Sequence, residues 1–258
     1  GARMLGTQRY VLERIVRGLE DNVHEFVTLK CRQGGISTLS NALDLYWMFK
    51  HRGMNGMLAV HEDSARDQFR STLELYYASL PDSWKRGIKD HNRNQLVLNT
   101  GTKMLYRVAG TKKTGKGGLG RSSAISFLHA TEMSSWGDEE GLASLQASLA
   151  ETNQNRLYIF ESTARGFNMF EEMYTTAKKA RTQKAIFCGW WLNQKYMADP
   201  EGAVYKTYWD GKLTPEEKEW TREVKKLYNY EINSRQIAWW SLGRRLPSKL
   251  RRVPRSHK

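Results

Sequence analysis

Cysteine is nearly missing from this 258-residue sequence: there are two, Cys31 and Cys188, and neither belongs to a C-x-x-C pair. Their placement excludes a disulfide framework and a cysteine-based zinc site, and it suits a reducing cytoplasm. The six histidines are scattered without ligand spacing. No apolar run approaches the roughly 18–20 residues of a membrane span, and no signal-peptide pattern opens the chain, so neither insertion nor export is expected. Internal repeats are lacking too. Carboxylates are the minority charge, 27 Asp and Glu against 41 Lys and Arg, which leaves a formal net charge of +14. Residues 241–258 hold seven of the basic residues (244, 245, 249, 251, 252, 255 and 258) and no Asp or Glu, half of the excess. Such a balance points to a polyanionic partner, nucleic acid before an acidic membrane surface. The tail exaggerates the basic character of the folded body.

What is present is an alternation of two periodicities. Residues 8–19 carry apolar positions at helical spacing, residues 24–30 form a strand-like run, and residues 39–49 return to helical spacing. A buried strand is expected at 56–61, a helix at 65–80 stopped by Pro81, and a hairpin over 94–109 with its turn at Thr100-Gly101. Further strands are expected from Ser123 to His129, at 156–160 and at 184–191, with helices at 141–149 and through Lys179. Strands alternating with helices imply a mostly parallel sheet covered on both faces. After Pro200 the pattern changes to two amphipathic helices, one entered through Pro215 and one starting at Ser234. The expected organisation is an α/β domain over 1–200, a helical connector over 201–245, and a basic, disordered tail over 246–258.

Three expected strand ends carry functional-looking residues, and in an open parallel sheet ligands sit at the carboxyl ends of strands. The first is Lys30-Cys31-Arg32-Gln33-Gly34-Gly35-Ile36-Ser37-Thr38. A strand feeding a glycine-containing turn and a hydroxyl pair at a helix start is the layout of a phosphate-binding loop. The usual G-x-x-x-x-G-K-[ST] pattern is not met, because Ile36 stands where the lysine is expected and Lys30 is moved to the front of the loop. The same stretch also reads as an ordinary Gly-Gly turn. The second strand end is His129-Ala130-Thr131-Glu132. There Glu132 suits a catalytic carboxylate and Thr131 takes the usual metal-orienting Asp position, from which it could hold a metal-bound water. Glu132 also reads as a helix-start carboxylate. The third is Ser162-Thr163-Ala164-Arg165-Gly166, a phosphate-sensing pair or a plain N-cap.

The ordered combination K-x-R-Q-x-G-x-S-T, H-A-T-E-x-x-x-W and E-S-T-A-x-G resembles the ATPase domain of the large terminase subunit of tailed bacteriophages, motors that drive double-stranded DNA into a preformed capsid. The resemblance covers about residues 8–240. It includes Leu80-Pro81, Asn99-Thr100-Gly101-Thr102, Phe187-Cys188-Gly189-Trp190-Trp191 and Leu213-Thr214-Pro215-Glu216-Glu217. It implies a P-loop NTPase fold of the ASCE/RecA-like class, with ATP and Mg²⁺ as cofactors. By this resemblance Lys30 is the displaced loop lysine, and Arg32 is a second cation on the phosphates or an arginine finger in cis. Gln33, Gly34 and Gly35 line the phosphates, Ser37 ligates Mg²⁺ with Thr38 beside it, and Gln8 reads adenine. Glu132 is the catalytic base and metal-side carboxylate, and Ser162, Thr163 and Gly166 form the coupling motif. Arg121 or Arg165 serves a neighbouring subunit in trans. The implied partners are double-stranded DNA, a homo-oligomeric ring, the small terminase subunit and the portal of the procapsid, all in the bacterial host cytoplasm.

Large terminases of this kind normally continue into an RNase H-like nuclease with an acidic cluster. The match here stops near Trp240, so no nuclease and no DNA cleavage are expected. Lys112, Lys113, Lys116 and Arg121 form one candidate DNA-contacting cluster, and Lys178, Lys179, Arg181 and Lys184 another. Each also reads as a solvated basic face. Two rivals stand beside the motor. One is another DNA-dependent NTPase such as a helicase core, which would need a second motor lobe. The other is a degenerate nucleotide- or DNA-binding module without hydrolysis, which Ile36 and Thr131 would suit.

Overall fold

A computed structural model describes residues 3–110, 119 and 124–245. The chain opens with helix α1 (Gly6–Glu20), whose apolar stripe buries Val11 and Ile15. Strand β1 (Glu25–Lys30) follows, and then α2 (Ile36–Lys50), β2 (Asn55–Val60) and α3 (Asp63–Ser79). Strands β3 (Ile88–His91), β4 (Gln95–Leu98) and β5 (Lys103–Val108) come next, then β6 (Phe127–Thr131), α4 (Glu139–Ala147), β7 (Leu157–Ser162), α5 (Met169–Ala177) and β8 (Gln183–Cys188).

The eight strands form one sheet in the order β3-β4-β5-β2-β6-β7-β1-β8. From β5 through β8 every neighbouring pair is parallel, and the β3–β4 and β4–β5 pairs are antiparallel, so β4 alone runs against the others. The sequence explains the arrangement. Strands β2, β6 and β7 are almost continuously buried, as parallel strands covered on both faces must be. The antiparallel margin instead contains β3, whose Ile-Lys-Asp-His sequence is largely exposed. That polar composition left β3 out of the expected elements. Strand β6 begins at Phe127, later than the run from Ser123, and β8 ends at Cys188, before the two tryptophans.

Two close approaches fix this sheet. A Cβ on Gly56 would lie 2.0 Å from the Phe127 ring across the β2–β6 pair, and one on Gly18 would lie 2.4 Å from the Phe26 ring. Below the sheet Val27, Leu128 and Phe160 pack with Trp136 and Phe170 in one core.

Two compact units result: residues 7–188, and residues 189 onward with the N-terminal residues up to Gly6. The second contains α6 (Ala203–Tyr208), α7 (Pro215–Tyr228) and α8 (Ser234–Arg245). The six-residue α6 had no sequence signal. Helix α7 starts through a capping box: the Glu217 amide donates to the Thr214 hydroxyl and the Thr214 amide to the Glu217 carboxylate, with Pro215 in the first turn. Its core is aromatic, with Trp190 against Trp220 and Trp239, and Tyr196 stacked on Trp239 at 4.4 Å. Among the described residues no helix is long and apolar enough to cross a membrane. The expected tail, 246–258, lies outside the described residues.

Candidate active site

Parallel pairing brings the carboxyl ends of β1, β7 and β6 to one edge of the sheet, with β7 in the middle. Chain direction therefore gathers the three stretches singled out in the sequence, which are separated by about a hundred and thirty residues.

The loop after β1 turns on two left-handed residues, Gln33 (φ 55) and Gly35 (φ 70), before α2 starts at Ile36. Four non-glycine residues have positive φ among those described: Asn22, Asn229, Gln33 and Glu132. Asparagine visits this region readily at turns and helix ends. Glutamine and glutamate do not, and both of theirs lie at this edge. Conformations of this kind cost of order 1 kcal/mol and persist where surrounding structure imposes them.

Helix α1 braces the loop from behind. The Thr7 hydroxyl donates to the Gly34 carbonyl at 2.5 Å, and the Gln8 amide donates to the Gly35 carbonyl at 3.0 Å. Gln8, expected to read adenine, thus touches the loop that precedes α2. Arg32 and Gln33 are exposed on its outer side, and Thr38 is exposed one turn into the helix.

Lys30 is buried, and its ammonium joins the three strand ends. It donates to Ser37 Oγ at 2.6 Å, lies 3.1 Å from Glu132 Oε1, and forms an ion pair with Glu161 Oε2. Burial alone would lower its pKa, but the Glu161 and Glu132 carboxylates outweigh that and hold the ammonium above the usual lysine range. Ser37, Thr38 and Glu132 also line a cleft of about 270 Å³ whose other wall is α3, with His61, Gln68 and Phe69 facing in. The hydroxyl of Ser37 and the carboxylate of Glu132 are hard oxygen donors on one cleft. Such a set fits Mg²⁺, which takes one or two protein oxygens and completes its shell with phosphate and water.

Thr131 is placed differently from its expected water-holding role. It is fully buried, and its hydroxyl donates to Glu161 Oε1 at 2.5 Å. Glu161, which the sequence reading did not single out, is wholly buried beside it on β7. His129 completes the group: Nε2 lies 3.4 Å from Glu161 Oε1, and Nδ1 lies 2.8 Å from Asp44 Oδ2 on α2. Burial would lower the His129 pKa, but Asp44 and Glu161 push it up to about 9. Glu161, which burial would raise, is held well below the usual carboxylate range by Lys30 and His129. Full burial pushes the Asp44 carboxyl up, with His129 pulling it back.

The third stretch joins through hydrogen bonds. The Ser134 amide donates to Ser162 Oγ at 3.0 Å, and the Ser134 hydroxyl donates to the Thr163 carbonyl at 2.9 Å. The turn carrying Glu132 is thus tied to the end of β7. Gly166 is left-handed (φ 80) in the loop beyond, where Arg165 is exposed.

Arg121 and the basic loop residues 112, 113 and 116 lie outside the described residues. The second basic cluster falls at the end of α5 and the start of β8, so it occupies the amino-terminal edge of the sheet, opposite the cleft. Both cysteines are buried free thiols.

No family model and no curated protein matches this sequence. Solved structures do match in their folding. The large terminase of a thermophilic bacteriophage in complex with ATP-gamma-S superposes with a TM-score of 0.57 at 12% identity, over 88% of this chain and 50% of that one. The fold is that of a phage large terminase ATPase domain. The HK97 bacteriophage large terminase gives a TM-score of 0.56 at 11% identity, over 89% of this chain and 49% of its own. A mutant of the Thermus phage P74-26 large terminase ATPase domain gives 0.50 at 13% identity, with 79% and 83% covered. The chain therefore spans about half the length of the first two large terminases and most of the isolated P74-26 ATPase domain. The P-loop architecture expected from the sequence, a mostly parallel sheet flanked by helices, is the one observed.

Proposed function

We propose that this chain is the ATPase motor domain of a phage DNA-packaging machine, binding ATP at the loop between β1 and α2 and hydrolysing it against Glu132. The observation that carries the reading is that the buried Lys30 ammonium contacts both the Ser37 hydroxyl and the Glu132 carboxylate, two groups that line one cleft. A triphosphate set there lies against the start of α2, where backbone N–H groups and the helix dipole favour anions. Lys30 supplies a fixed positive charge to the phosphates, and the exposed Arg32 a second from the loop's outer side. Ser37 and Glu132 would hold Mg²⁺, which would supply charge neutralisation at the phosphate oxygens. Glu132 takes the proton of the attacking water. Ser162 and Thr163, bonded to the turn that carries Glu132, transmit the state of that turn to β7. The thermophilic phage large terminase solved with ATP-gamma-S, and solved again with ADP, supports nucleotide as the ligand class.

The fold resemblance and the basic balance support double-stranded DNA as the track. By the same resemblance the chain works in a homo-oligomeric ring on the portal of a procapsid, with the small terminase subunit, in the host cytoplasm. By the same resemblance Arg121 or Arg165, the latter exposed in the loop after β7, serves a neighbour's nucleotide in trans.

The deciding measurement is Mg²⁺-dependent ATP turnover at high protein concentration with DNA present, for the natural chain and Glu132→Gln. Loss of a general base costs roughly 10²–10⁴-fold. The variant is expected to lose at least a hundredfold in kcat while ATP still raises its melting temperature. Equal turnover in both proteins removes Glu132 from the chemistry. Equal inertness with ATP protection retained makes the chain a binding module only.

A further inference from the structure

The buried carboxylate of Glu161 is used by nothing in the preceding reading, yet it contacts Lys30, His129 and Thr131. Register explains how it reaches its partners. Thr131 and Thr28 are both directly paired with Glu161 across their strands. Lys30 lies two residues beyond Thr28, and His129 two residues before Thr131. Side chains two apart along a strand share a face, so Lys30, Glu161, Thr131 and His129 all project to one side of the sheet. Helix α2 brings Asp44 onto the His129 ring, and the Phe69 ring of α3 closes edge-on over it at 5.5 Å. The outcome is a continuous polar file under the phosphate loop: Asp44, His129, Glu161, Lys30, with the Thr131 hydroxyl on Glu161 and Glu132 at the rim.

Placing four ionisable side chains in a sheet interior is costly, and apolar residues of the same volume would often be at least as stable. The file is therefore poorly explained by stability alone. It is well explained by the position of the lysine. An ammonium at the start of helix α2 would be held by the loop itself. Lys30 instead approaches from a strand end on a flexible four-carbon stem, which must be ordered before it can meet a phosphate at a fixed point. We propose that Glu161 is the positioning residue of the phosphate loop: it fixes the Lys30 ammonium behind Ser37 and Glu132, the two groups that line the cleft, and the His129–Asp44 pair behind it holds the carboxylate in place as counter-charge. The hydroxyl of Thr131 belongs to the same device, because it donates to the Glu161 carboxylate from the neighbouring strand. This inference rests on the reading of the loop as a triphosphate site.

A double-mutant cycle on the whole 258-residue chain tests it, with ATPγS affinity in the presence of Mg²⁺ measured by calorimetry. Lys30→Met is expected to weaken binding at least tenfold and Glu161→Gln at least fivefold. In the Lys30→Met background Glu161→Gln should then change affinity less than twofold, since its only route is through the missing ammonium. A carboxylate that merely packs would lower the melting temperature and leave the affinity of the folded protein alone. Natural-like affinity in Glu161→Gln, or an equal loss in both backgrounds, overturns the inference while leaving the loop reading intact. No ATPγS binding by the natural chain, or no effect of Lys30→Met, overturns both. Should Glu161→Gln fail to fold, Glu161→Asp decides, because it keeps the charge but draws it back from the ammonium. ATPγS affinity should then fall at least threefold in the natural background and less than twofold beside Lys30→Met. An unchanged affinity, or an equal loss in both backgrounds, counts against the proposal.

Discussion

At the scale of single residues, the site is a problem in holding charge out of water. His129 is wholly buried, with a carboxylate on each ring nitrogen. Its folded pKa, pushed up to about 9, stands above the 6.5 of a free imidazole. A group raised in this way contributes stability that is complete below the unfolded pKa and is lost as pH climbs through the folded one. Melting temperature should therefore decline between about pH 7 and pH 9.5. In His129→Gln the decline should flatten over the same window, although the variant starts lower. A slope unchanged by the substitution would mean that another group titrates. Glu161 works in the opposite sense: its contribution is present at neutral pH and is lost as pH falls below the ordinary carboxylate range.

The residues legible in the sequence were those whose chemistry is local. A lysine before a Gly-Gly turn and a hydroxyl at the next helix start announce themselves within nine positions, and Glu132 closes an apolar strand. The structure brings the Lys30 ammonium against Ser37 and Glu132, and the latter two line one cleft. Glu161 directly precedes Ser162 and Thr163 in the chain and gave no separate signal. Its meaning depends on partners from β1 and β6, and through His129 on α2, each far away in the chain. Asp44 was hidden similarly, as the one acid on α2.

At the scale of elements, the parallel core was readable because its strands are continuous apolar runs between helical stretches. The margin was not, since β3 offers one isoleucine among Lys, Asp and His, and α6 is too short to show a period. What locks the core is contact at van der Waals distance rather than propensity. The clash of any Cβ at Gly56 with the Phe127 ring makes Gly56→Ala a test of the β2–β6 pair. Overpacking of this sort costs about 1–3 kcal/mol or more. In a chain of this size that lowers the melting temperature by roughly 2–4 °C per kcal/mol. Adding Phe127→Leu should return part of the loss, because the ring is what the new methyl meets. A Gly56→Ala protein that melts like the natural one would show that the strands can separate freely at this point.

At the scale of the whole molecule, charge is distributed unevenly over the chain. Residues 246–258 carry five Lys and Arg (249, 251, 252, 255 and 258) and no carboxylate. Duplex binding loses affinity with salt at a log–log slope of about 0.9 per phosphate neutralised. Ending the chain at Arg245 should therefore reduce that slope by as much as about 4–5 if the five reach phosphates. Triple replacement of Lys178, Lys179 and Arg181 by alanine in the shortened chain then tests the cluster at the amino-terminal edge of the sheet. A further drop in affinity assigns that edge to DNA. An unchanged affinity makes it an ordinary solvated face.

Strand β7 lies between the strand that ends in Lys30 and the strand that leads into Glu132, and its own last two residues are bonded to both neighbours. Sliding it along its axis by a fraction of an ångström would tug an ammonium on one flank and a carboxylate-bearing turn on the other in a single stroke. Ammonium and carboxylate-bearing turn thus share one strand as their common support.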